Sequence, residues 1–179
     1  MKITCNLTSK NGVRKTIRQL EQYRDGLDAK CEKFVSRLAE VGIKTAQMHA
    51  GEYGSYIVFR KEISTLPNGC RALLIATDGQ KITREWKYQD GTRTAEVSPL
   101  LMAEFGSGWL ADVRWKNISG VGQGTFPGQT HAFDPYGWWW EDTDGVKHHS
   151  KGEAPTYPMY SASIEMLSQM MTIAKEVFK

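Results

Sequence analysis

Long apolar runs are missing from this chain. No stretch approaches the roughly 20 residues that a bilayer-crossing helix needs, so no membrane span is expected. The opening residues, MKITCNLTSKNG, lack the apolar centre of a secretory signal, and a cytoplasmic protein is expected. Cysteine is scarce. Cys5, Cys31 and Cys70 are odd in number and far apart, which fits neither a metal-binding spacing nor a disulfide framework. Buried free thiols are expected instead. A dominant charge is also lacking. The net charge is +3 over 179 residues, with no concentrated basic stripe of the kind a dedicated nucleic-acid binder carries. A chain of this length buries roughly 70% of its unfolded surface and needs no covalent staple. One domain spanning residues 1–179 is expected.

Catalytic patterns are lacking as well. His148 and His149 are adjacent, so on a strand they face opposite ways and cannot share a metal. His49 and His131 stand alone. GVGQGTFPG, residues 120–128, has the glycines of a phosphate loop but not its Lys-Ser/Thr ending. Ser107 sits in Gly-Ser-Gly, not in the Gly-x-Ser-x-Gly of a nucleophile elbow. Glu141, Asp142, Asp144 and Glu153 flank an aromatic run, as acids do in glycosidases and equally in any exposed hairpin. No enzyme, cofactor or metal is expected.

What the chain has is periodicity. MKITCNL alternates like a short strand. Val13, Ile17, Leu20, Leu27, Cys31, Phe34 and Leu38 then recur at helical spacing, with Lys, Arg, Glu and Gln between them. They predict one long amphipathic helix, or two broken near Gly26, ended by Gly51 and Gly54. SYIVFRKEIS, CRALLIATD, ITREWKY and RTAEV read as a meander of three or four antiparallel strands, with Asp90-Gly91 turning the last hairpin. Ser98 and Pro99 open a short helix that closes at Gly106. Residues 106–157 form a glycine- and tryptophan-rich excursion of loop and hairpin. A final helix over 158–179 places Ile164, Leu167, Met171, Ala174 and Phe178 on one face. The expected fold is α+β: an antiparallel sheet packed against a long N-terminal helix and a C-terminal helix.

The chain also has six tryptophans, and Trp109, Trp115, Trp138, Trp139 and Trp140 all follow the expected meander. On a strand, Trp138 and Trp140 share a face and Trp139 takes the other. One core hides one face. Aromatics of this kind are enriched at protein interfaces. Phe105, Trp109, Phe126, Tyr136, Trp138, Trp139 and Trp140 are therefore the candidate interface residues.

These residues carry a resemblance. MAEFGSGWLA, a glycine-rich gap and YGWWWEDTDGVKHHSKGEAPTYPMYSASIEM resemble the carboxyl half of the tail-completion, or head–tail joining, proteins of long-tailed bacteriophages. Glu104–Gly108 match the family's Glu-aromatic-Gly-Thr/Ser-Gly element. Gly137–Trp140 match its Gly-Trp-aromatic-aromatic element, and Pro158, Met159 and Tyr160 match its last helix start. The likeness covers roughly residues 100–170. HAGEYGSYIVFRKEIS departs from the family's Thr-Gly-x-Leu-x-x-Ser-Ile pattern, keeping Gly54, Ile63 and Ser64. The resemblance implies a structural virion protein at the neck or tail, not an enzyme. It would form a ring, usually of six subunits, between connector or head-closure proteins and the tail tube. Passive contact of residues such as Arg114 and Lys116 with a DNA channel would be compatible with that place. The rival expectation is a carbohydrate- or receptor-binding module that stacks exposed tryptophans on sugars.

Overall fold

A computed structural model describes residues 10–67, 69–88, 91–112, 134–142 and 144–178. The expected first strand and GVGQGTFPG lie outside these residues, as do Cys5, Trp115, Phe126 and His131. So do Arg114, Lys116 and the 89–90 turn. Helix α1 (Lys10–His49) is continuous for 40 residues, about 60 Å at 1.5 Å per residue. Gly26 does not break it. Thr16 Oγ1 donates back to Gly12 O at 3.0 Å within the first turns. The helix stops where Gly51 takes φ +58°, a conformation that costs a side-chain-bearing residue energy.

Strands β1 (Ile57–Leu66) and β2 (Gly69–Asp78) form an antiparallel hairpin in register from Ile57↔Asp78 to Leu66↔Gly69. The hairpin lies on α1. Lys61 Nζ donates to Ser36 Oγ at 2.8 Å and to Glu40 Oε1 at 2.5 Å. Near the hairpin tip, Cys70 Sγ stands 3.8 Å from Asp28 O. Cys31 and Cys70 are half-buried rather than buried.

The expected single meander is two sheets. After β2 the amides of Gly79 and Gln80 both donate to Tyr56 O, at 2.8 and 3.3 Å. That clamp ties the turn to the start of β1 and directs the chain out of the first sheet. Strands β3 (Ile82–Tyr88) and β4 (Gly91–Val97) pair with each other, and the second sheet runs β4-β3-β5-β6. Its other members are β5 (Trp138–Glu141) and β6 (Lys147–Ser150). The tryptophan hairpin is thus an edge of a sheet, joined to β3 at Lys87↔Glu141.

Helix α2 (Pro99–Phe105) begins as its sequence predicts: Ser98 Oγ accepts from Leu101 N at 3.2 Å, and proline fills the first helical position. Asp78 Oδ1 accepts from Leu100 N at 2.9 Å and pins the helix to the end of β2. Met102 and Ala103 enter a core with Ala50, Tyr53 and Ile57, flanked by Phe59, Ala76, Ile82, Val97 and Leu100. Burying a side chain such as Met102 contributes about 2 kcal/mol.

Helix α3 (Pro158–Val177) packs chiefly on α1. The pair is antiparallel: Gly42 meets Met166, Arg37 bonds Glu176 at 2.7 Å, and Phe34 faces Phe178 at 5.7 Å between ring centres. A Cβ on Gly42 would stand 2.7 Å from Met166 Sδ, so glycine permits the close approach. The buried side chains of α3 are Pro158, Ala162, Ile173 and Val177. The stripe picked out by periodicity is the other one: Ile164, Leu167 and Met171 face outward, and Phe178 at its end turns onto Phe34.

Candidate functional site

Alternation decides the tryptophan run. In β5, Trp138 and Trp140 are half-buried and Trp139 is 70% exposed. Register places Trp138 opposite Ser150, Trp139 opposite His149 and Trp140 opposite His148. Each cross-strand aromatic pair is in contact. Trp140 stacks on His148 at 4.4 Å and 21°, and Trp139 leans on His149 at 4.7 Å and 36°. The two histidines point to opposite faces, as their adjacency predicts.

The hairpin turn is organised by Asp142. Its Oδ1 accepts from the amides of Asp144 and Val146 at 3.0 and 2.8 Å, and its Oδ2 meets His148 Nε2 at 2.7 Å. The hydrogen bond from His148, followed by that from the Val146 amide, holds the Asp142 carboxyl below its ordinary value. On the other face, His149 Nε2 bonds Tyr136 O at 2.8 Å. This ties the backbone of Tyr136, whose side chain is 83% exposed, to β6.

Below the hairpin, two loops meet backbone to backbone. Ser107 N donates to Glu153 O and Trp109 N to Lys151 O, both at 2.8 Å. Ser107 Oγ returns an acceptor to Glu153 N at 3.0 Å. A Cβ on Gly108 would stand 2.6 Å from Lys151 O and 2.7 Å from the Trp138 ring. Trp138 therefore rests on a surface that only glycine leaves open. Ser107 is thereby a structural hydroxyl that ties the loops together.

Glu104 continues the same seam. It is buried, yet it sits at the start of α3, where its Oε2 and Oε1 accept from Met159 N at 2.7 Å and Tyr160 N at 3.0 Å. Tyr157, the residue before the helix, is left-handed (φ 56°) and makes no side-chain cap bond. Glu104 supplies the cap from another element. The helix dipole and two amides offset the cost of burying its charge. Glu153 accepts from Tyr53 OH, so it and Asp142, two of the acids that flank the tryptophans, hold structure. Among the described residues no group of three or more His, Cys, Asp or Glu is placed to hold a metal.

The expected interface residues divide accordingly. Trp139, Tyr136 and Trp109 are exposed; Phe105, Trp138 and Trp140 are half-buried and support the seam; Phe126 lies outside the described residues. The structure also exposes a stripe on α3 that was not among the expected interface residues: Tyr160, Ile164, Leu167 and Met171. Its spacing is visible in the sequence, which does not say whether that face turns inward or outward. No helix among the described residues is long and apolar enough to cross a membrane. The chain matches no protein-family model, no curated protein and no solved structure.

Proposed function

We propose that this chain is a structural virion protein that completes the tail end or joins it to the head connector, assembled as a homo-oligomeric ring. The carrying observation is the two-faced hairpin. Trp138 and Trp140 anchor it, while the side chains of Trp139 and Tyr136 are both exposed to solvent. Exposed aromatics on a rigid, internally bonded hairpin suit an interface anchor, because little side-chain freedom is lost on contact. The three segments that carry the phage resemblance, Glu104–Gly108, Gly137–Trp140 and Pro158–Tyr160, meet along one seam. That supports their acting as a unit. The partners in this reading are further copies of the chain, a connector or head-closure protein, and the tail-tube protein.

Trp139→Ala tests the reading. Circular dichroism melting should change by less than about 0.5 kcal/mol, as for an exposed site, while joining of purified heads and tails falls. Normal joining by this variant would sink the proposal. Tyr136 and Trp139 are also exposed aromatics of the kind that stack on sugars. Capture on a glycan array, lost with Trp139→Ala while joining persists, would favour the binding-module reading instead.

A further inference from the structure

Helix α1 is about twice as long as α3, and Ile17, Leu20 and Leu27 in its first half are exposed. Antiparallel packing places the end of α3 against Phe34, and the tip of the β1–β2 hairpin reaches only Asp28. Beyond these points the apolar seam of α1 runs on through Leu27, Leu20 and Ile17, all exposed. Its steps keep the alternation of three and four, or their sum of seven, that holds Phe34 and Leu38 on the same seam. An established helix–helix contact therefore stops midway along a seam that is built to continue.

A second stripe of the same kind lies on α3. Tyr160, Ile164, Leu167, Met171, Ala174 and Phe178 follow one another at alternating steps of four and three. Leu167 is 65% exposed and Met171 61%. Ser161, Ser163 and Ser168 flank the stripe, so its margins are small and mostly uncharged. Contiguous exposed apolar surface of this extent marks a contact site in a folded protein. The two stripes also agree in length. From Ile17 to Leu27 and from Tyr160 to Met171 the exposed spans are each about 16 Å.

We infer that the uncovered half of α1 docks on the outward stripe of α3 in a second copy of this chain. The contact repeats the antiparallel α1–α3 packing already present within one copy. The inference deepens the ring reading but needs only two copies.

The test uses the full chain with Cys5, Cys31 and Cys70 replaced by serine and its melting checked. Leu20→Cys and Met171→Cys proteins are mixed and oxidised. A mixed dimer, with little of either homodimer, is expected. In sedimentation, Leu167→Glu should weaken self-association by about tenfold or more, the loss of one buried leucine anchor, with unchanged melting. Met171→Arg, at a second exposed position, should do the same. Preferential Leu20→Cys homodimers would show α1 against α1 and overturn the inference. So would a chain that stays monomeric, or one whose association ignores both charge variants. Particles that locate the protein away from the neck would count against tail joining and leave the cross-link result standing.

Discussion

Single residues decide how the seam beneath the tryptophan hairpin holds. Glu104 is the clearest case, a buried carboxylate whose two oxygens take the first free amides of α3. Glu104→Ala leaves those amides without their acceptor and should cost about 2 kcal/mol, a fall in Tm of about 6 °C for a chain this size. Glu104→Gln keeps one acceptor oxygen and should lose about half of that; thermal melting followed by circular dichroism separates the two. Asp142 makes a pH prediction. Its carboxyl is depressed in the folded hairpin, chiefly by the His148 hydrogen bond. Its contribution is therefore present above the ordinary carboxylate value of about 4 and is lost as pH falls through the depressed value. Trp140, stacked on His148, reports this. Tryptophan fluorescence should change in acid below about pH 4, and Asp142→Asn should already show the altered signal at neutral pH.

Elements were legible where one periodicity ruled and obscure where two competed. The 40-residue α1 and the Ser98–Pro99 helix start follow from local chemistry, and so does the alternation of Trp138, Trp139 and Trp140. Gly26 in mid-helix leaves an added Cβ nothing within 4 Å to meet. Gly26→Ala should thus stabilise the protein by about 0.5–1 kcal/mol, read as a rise in Tm. Helix α3 shows the limit. It carries apolar residues on two faces, and period alone does not say which turns inward. Gly42 settles it, because its missing side chain lets the Ala162–Ile173 face close on α1. The division of the strands into two sheets depends on the Gly79–Tyr56 clamp, a contact between residues 23 positions apart. The cap from Glu104 to α3 spans more than twice that distance. No local pattern announces either. The interface candidates were half legible: alternation separated Trp139 from its neighbours, but the stripe on α3 was hidden by its likeness to a core face.

At the scale of the whole molecule, the exposed apolar side chains among the described residues include Trp139 and Tyr136 and the stripes on α1 and α3. These are the surfaces that the proposed virion assembly would cover. Electron microscopy of phage particles assembled with a tagged copy of this chain tests that claim most directly. The account predicts the tag as a ring at the junction of head and tail. Particles without the tag, or with it confined to fibre tips, would contradict it.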